Sequence, residues 1–84
     1  MKSNMNFAVF SKEDCPYCEK IKKVFELTGC KFVVYTLGKQ FDKDAFYGEF
    51  GEGSTCPQVV CNGDKLGGSK ETIEYLKEKN ILNL

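Results

Sequence analysis

The apolar residues fall into short blocks, and the spacing within each block predicts its secondary structure. Asn6 to Ser11 encloses an unbroken apolar run, Phe7-Ala8-Val9-Phe10, as expected of a strand buried on both faces. After the charged triplet Lys12-Glu13-Asp14 the spacing lengthens. Ile21, Val24, Phe25 and Thr28 recur at i, i+3, i+4 and i+7, one face of a helix over about residues 15–28, which Gly29 stops. Lys31 to Thr36 contains Phe32, Val33, Val34 and Tyr35, β-branched and aromatic residues that fit a second strand. A weaker helix is expected over Asp42 to Phe50, with Asp42 as its cap. Its apolar side is Phe41, Ala45, Phe46 and Phe50, and Gly48 weakens it.

Gly51-Glu52-Gly53-Ser54 reads as a flexible connector. Pro57 to Cys61 follows as a third strand, and Asn62-Gly63 is a strong hairpin signal. Asp64 to Leu66 is then a fourth strand, antiparallel to the third. Gly67-Gly68 breaks it, and a last helix runs to about Asn80 with Ser69 as a candidate cap. The order is βαβαββα: an α/β chain with one mixed four-stranded sheet flanked by three helices. The first βαβ unit should be parallel with a right-handed crossover. No repeat, linker or low-complexity run divides residues 1–84, which read as a single domain.

Composition narrows the function classes. Twelve basic and twelve acidic residues give zero net charge, and no basic stripe suggests nucleic acid as a partner. The polar start at residues 1–6 has no apolar signal region, and no stretch approaches the length of a membrane span. The expectation is a soluble, cytoplasmic protein with no membrane partner. Histidine is absent, which removes the commonest zinc ligand and general base. The five cysteines, at 15, 18, 30, 56 and 61, are odd in number and irregularly spaced, a poor framework for a secreted disulfide scaffold. Whatever chemistry the chain performs must lean on sulfur.

Cys15-Pro16-Tyr17-Cys18 is where that chemistry concentrates. It stands between the first strand and the first helix, the context expected of a redox dithiol. One helical turn brings residues i and i+3 together, so the two sulfurs can bond. A thiolate on Cys15 would meet the free N–H groups and positive dipole end of the first turn. Such settings lower cysteine pKa values from about 8.5. Glu13 and Asp14 oppose this and Lys12 assists it; the acids are screened by solvent, so the net expectation is a depressed value. Pro16 suits a first helical position. Half of a zinc site and a structural disulfide remain the alternatives for the pair. A four-cysteine zinc site is disfavoured, because Cys56 and Cys61 should lie about 16 Å apart along an extended strand.

Four features in order resemble the glutaredoxins, small enzymes of the thioredoxin-like fold. They are Lys12 three residues before the first cysteine, the Cys-Pro-Tyr-Cys motif, Thr55-Cys56-Pro57, and Gly67-Gly68-Ser69. The resemblance covers nearly the whole chain and is closest to compact dithiol members. It implies that Cys15 is the nucleophile and Cys18 the resolving thiol. Glutathione would be a co-substrate, with no permanently bound cofactor or metal. Pro57 would be cis, and the Thr55-Cys56 backbone would pair with glutathione's cysteinyl unit. Gly68, Ser69 and Lys70 would take its γ-glutamyl end, Lys12 would face its glycine carboxylate, and Tyr17 would lie beside the reactive sulfur. Elementary chemistry is compatible with each role: a lysine pairs with a carboxylate, a helix N-terminus binds an anion, and an exposed extended backbone takes a peptide. The plainer alternatives are a solvated Lys12, a surface Tyr17, a Ser69 that only caps, and a trans Pro57 at a strand start.

The implied function is reduction of protein disulfides and glutathione mixed disulfides by a monomer, with ribonucleotide reductase among the protein partners such enzymes serve. The rival readings are a redoxin recharged by thioredoxin reductase and an iron–sulfur carrier held by Cys15 and glutathione; Pro16 and Cys18 count against the latter. Three positions depart from the family pattern. Cys56 replaces an aliphatic residue and reads either as an inert small hydrophobe or as an accessory thiol. Lys70 stands where many members carry aspartate. The connector before Thr55 lacks a basic residue, which leaves Lys39, Gln40 or Lys43 as substitutes. Cys30 and Cys61 read as structural.

Overall fold

The structure is a computed structural model that describes residues 4–83; the polar positions 1–3 noted above lie outside the described residues. Its elements are β1 (Asn6–Ser11), α1 (Pro16–Thr28), β2 (Lys31–Thr36), α2 (Lys43–Phe50), β3 (Gln58–Cys61), β4 (Asp64–Gly67) and α3 (Ser69–Glu78). The sheet order is β2-β1-β3-β4. β1 pairs parallel with β2 from Asn6↔Lys31 to Ser11↔Thr36, and antiparallel with β3 from Phe7↔Cys61 to Phe10↔Gln58. β3 and β4 form the expected hairpin, with a register irregularity between Val59 and Val60. The arrangement is the thioredoxin-like fold expected from the sequence.

Local signals account for the boundaries. Gly29 ends α1 in the left-handed region (φ 72°), and the N–H of Cys30 closes onto the carbonyl of Phe25 at 3.0 Å, a Schellman-type stop. Asn62 and Gly63 both have positive φ (51° and 88°), as a type I′ hairpin requires. The Asn62 side chain accepts the N–H of Asn6 and donates to the carbonyl of Asn4. The hairpin turn is thereby tied to the start of the central strand.

The core lies on one face of the sheet. Phe7 and Val9 of β1, Val59 and Cys61 of β3, Ile21 and Phe25 of α1 and Leu76 of α3 pack together with Cys30. The other face is thinner. Along β1, buried Phe7, Val9 and Ser11 alternate with half-buried Ala8 and Phe10, so the strand is not fully covered on both sides as its composition predicted. α2 is the reason: it has eight residues, and of these only Phe46 is buried. It reaches the sheet through Phe50, whose ring centroid is 5.0 Å from that of Phe10, and Phe41, just before the helix, packs on Phe10 at 5.4 Å. Ala45, expected on the apolar side, is exposed, and its N–H is held by the carboxylate of Asp42 at 2.8 Å. Lys65 of β4 donates to the carbonyl of Glu49 and lies over the ring of Phe50, pinning the end of α2 to the hairpin.

Candidate active site

Cys15 and Cys18 are disulfide-bonded, with Cα atoms 5.2 Å apart. Asp14 turns the chain with a positive φ of 55°, so Cys15 becomes the N-cap of α1 in extended conformation and Pro16 takes the first helical position. The Cys18 N–H donates to Cys15 Sγ at 3.2 Å. This is the capping contact that a Ser or Asp oxygen normally makes, here made to sulfur. Cys18 continues the stripe of Ile21 and Phe25 into the core and is 0% exposed, whereas Cys15 is 6% exposed. Cys15 is thus the less deeply buried of the two. The carbonyl of Cys56 lies 3.8 Å from Cys15 Sγ.

Beside the disulfide is a groove of about 850 Å³. Tyr17, Thr55, Cys56, Pro57, Gly68, Ser69 and Lys70 all line it, so the fold gathers these predicted residues from α1, the loop before β3 and the start of α3. Cys56–Pro57 is a cis peptide bond, and β3 begins only after it. Lys12 is exposed and does not line the groove, but its ammonium acts on the Cys56 thiol. Burial pushes the pKa of that thiol up, and Lys12 opposes the shift. Lys39, Gln40 and Lys43 do not reach the groove; Gln40 instead accepts the N–H of Thr36 at 2.8 Å.

The start of α3 is built differently from the sequence expectation. Gly68, not Ser69, is the N-cap, and Ser69 is the first helical residue. With no side chain on the cap, the contact comes from the other direction: Glu71 Oε1 accepts the N–H of Gly68 at 3.0 Å, half of a capping box. Gly67 has φ +114°, and a Cβ there would meet Glu71 Cβ and Cγ at 3.0 Å. The first-turn N–H groups of Ser69 and Lys70 have no acceptor within the helix and border the groove. Glu71 is therefore a site residue that sequence reasoning missed. Its signal was present, an acid three positions after the cap, but assigning the cap to Ser69 placed it out of phase. Gln58 was also missed: its Nε2 donates to the carbonyl of Thr55 at 3.0 Å, holding the loop that faces the dithiol. Lys20, Ile73, Glu74 and Lys77 extend the groove along α1 and α3.

In this arrangement an attacked disulfide would lie across Cys15, its chain along the Thr55–Pro57 backbone. An anionic group would find the open N-terminus of α3. The buried Cys18 stands one helical turn behind Cys15, close enough to bond its sulfur.

The sequence profile of the glutaredoxin family matches residues 7–66. Glutaredoxin-C4 of Arabidopsis thaliana is 37% identical over 86 residues, covering 98% of this chain and 63% of that protein. Mitochondrial glutaredoxin-2 of Rattus norvegicus is 36% identical over 87 residues, covering 98% of this chain and 54% of that protein. The chain thus spans roughly half to two thirds of the length of these relatives. Among solved structures, a buckwheat glutaredoxin–glutathione complex superposes with a TM-score of 0.74 at 29% identity, over 89% of this chain and 71% of that one. Glutaredoxin 1 from Francisella tularensis, complexed with cacodylate, superposes with a TM-score of 0.75 at 24% identity, over 92% of this chain and 96% of that one; at that identity the likeness speaks for the fold. With the profile covering well over half of the chain, and relatives above 30% identity aligned along nearly all of it, this chain belongs to the glutaredoxin family.

Proposed function

We infer that this protein is a glutathione-dependent thiol–disulfide oxidoreductase that reduces protein disulfides and glutathione mixed disulfides. The observation that carries the reading is the Cys15–Cys18 pair at the N-cap of α1, opening beside a groove that the Thr55–Pro57 backbone and the α3 N-terminus share. The Cys15 thiolate, stabilised by the Cys18 N–H, attacks the glutathionyl sulfur of a mixed disulfide. A Cys15–glutathione disulfide forms and the substrate thiolate leaves. A second glutathione thiolate then attacks the glutathionyl sulfur, releasing glutathione disulfide and restoring Cys15. With a protein disulfide, Cys15 bonds to one substrate sulfur and the other leaves. Cys18 next attacks Cys15 Sγ, and the enzyme departs as the disulfide seen here. Two glutathiones reduce it again.

In this reading the γ-glutamyl carboxylate meets the Ser69 and Lys70 N–H groups, the cysteinyl unit pairs with Thr55 and Cys56, and Lys12 approaches the glycine end. The protein works as a monomer in the reducing cytoplasm, and ribonucleotide reductase is a fitting acceptor of its electrons. The test is reduction of a small glutathione mixed disulfide coupled to glutathione reductase and NADPH, for the wild type, Cys15→Ser and Cys18→Ser. Activity should vanish in Cys15→Ser and persist in Cys18→Ser. No wild-type activity, together with turnover by thioredoxin reductase, would remove the glutathione assignments. Visible-range absorbance after anaerobic reconstitution with iron and sulfide would favour a cluster carrier instead.

A further inference from the structure

Thr55 and Cys56 follow a connector that does little to hold them. Gly51 and Gly53 both have positive φ (101° and 85°), and Ser54 is committed to the end of α2, its Oγ donating to the Phe50 carbonyl at 2.7 Å. Thr55 is then exposed and Cys56 half-buried. The hold on Thr55 comes from downstream. Gln58 Nε2 donates to the Thr55 carbonyl at 3.0 Å, from the position three residues on whose backbone N–H closes an ordinary turn.

Gln58 opens β3 opposite Phe10, whose ring packs on Tyr35, Phe41 and Phe50. Val59 and Cys61 of the same strand are buried, and Gln58 alternates with them. An apolar side chain would suit aromatic surroundings equally well; a carboxamide brings an N–H donor, and this one reaches back to Thr55. A peptide unit is planar and trans across its C–N bond, so its C=O and N–H point opposite ways. Anchoring the Thr55 carbonyl on Gln58 therefore turns the Cys56 N–H, in the same plane, away from Gln58. The next carbonyl, that of Cys56, lies 3.8 Å from Cys15 Sγ. The tethered peptide is thus the immediate neighbour of the one that approaches the reacting sulfur, and Gln58 itself lines the groove.

We propose that Gln58 is a positioning residue for the oxidoreductase reaction: by holding the Thr55 carbonyl it aims the Cys56 N–H at the cysteinyl unit of a glutathione mixed disulfide approaching Cys15. It acts through the Thr55–Cys56 peptide and not on the reacting sulfurs. This inference rests on the glutathione-dependent reading above and adds to it the residue that prepares the backbone contact. A backbone donor fixed in advance lowers the cost of binding. Its loss is therefore read in KM for the mixed disulfide, while the reactivity of Cys15 itself stays as it was.

The test compares wild type with Gln58→Met, which keeps a long side chain and lacks the donor, and with Gln58→Lys, which restores one. Gln58 is only half-buried, so both variants should fold, and far-UV circular dichroism checks it. KM for a small glutathione mixed disulfide should rise about fivefold in Gln58→Met, the scale of one lost hydrogen bond, with kcat within about twofold of wild type. Gln58→Lys should recover most of that loss, and still do so at molar salt, where its added charge is screened. Alkylation of reduced Cys15 by iodoacetamide involves no glutathione and should run at one rate in all three proteins. An unchanged KM in Gln58→Met, no recovery in Gln58→Lys, or alkylation slowed as much as turnover would overturn the proposal. A wild type inactive toward glutathione mixed disulfides would remove the reading above and this role together, whereas an active wild type matched by Gln58→Met would remove this role alone.

Discussion

The backbone carbonyl of Cys56 lies 3.8 Å from Cys15 Sγ, yet the two thiols sit in different environments. Cys15 caps α1 and receives the Cys18 N–H at 3.2 Å, a contact that favours the thiolate once the disulfide is reduced. Thiolate absorbance of the reduced protein should titrate at Cys15 below the free-cysteine value of about 8.5; titration at or above that value would mean that Glu13 and Asp14 outweigh the helix end. Cys56 is raised by burial, with Lys12 only partly offsetting the shift, so it stays a neutral thiol at pH 7. Iodoacetamide should therefore label Cys15 of the reduced protein first at neutral pH, and label Cys56 only as the solution becomes alkaline. The same shift has a stability consequence. A folded pKa above the unfolded one means that the contribution is complete below the unfolded value and is lost as pH rises through the folded value. Cys61 and Tyr75 are also raised, burial being the largest cause for each. Alkaline unfolding should accordingly be shallower in Cys56→Val than in the wild type, though not abolished.

At the scale of elements, the start of α3 carries the most local constraint. Gly67 needs its positive φ, and its missing side chain leaves room for Glu71. Glu71 in turn supplies the cap that Gly68 cannot. Gly67→Ala forces a side chain into both the left-handed region and the Glu71 methylenes. It should destabilise the protein by about 1–3 kcal/mol, whereas Glu71→Ala, which loses only the cap contact, should cost about 1 kcal/mol. For a domain of this size each kcal/mol moves the melting temperature by about 4–8 °C, so thermal unfolding separates the two. The history of this helix also shows where sequence reading stops. β1, α1, β2 and the hairpin were legible because their spacing and turn residues act locally. Gly29 and Asn62-Gly63 are stop and turn signals whatever surrounds them. The cap of α3 was not legible, because Ser69 and Gly68 both permit a helix start. The choice is made by Glu71 from inside the helix, which accepts the Gly68 N–H.

Across the whole molecule, the sheet divides a closed face from a thin one, and that division was only half legible. The stripe of α1 predicts a partner for Phe7 and Val9. Nothing in the apolar run of β1 says that α2 will cover the opposite face with only a few rings and leave Val33 52% and Tyr35 37% exposed. Grouping of the site residues was similarly partial: motif order implied that Tyr17, Thr55–Pro57 and Gly68–Lys70 would meet, but whether Lys12 joins the groove wall depends on the angle of its loop. The imbalance between faces concentrates stability in one cluster. Phe25 is its hub: fully buried, with ring centroids 4.5 Å from Phe7 and 5.5 Å from Phe32, it joins α1 to both β1 and β2. Truncating a buried phenylalanine costs about 3–5 kcal/mol, and small domains have only about 5–15 kcal/mol in total. Phe25→Ala should therefore lower the urea midpoint drastically or abolish cooperative unfolding at 37 °C. Leu27, two residues along the same helix, is 78% exposed, and Leu27→Ala should change stability by no more than about 0.5 kcal/mol. Equal losses in the two variants would mean that α1 is held by helix propensity rather than by its buried stripe. The dithiol at its N-terminus would then sit on a movable element instead of one anchored to the core.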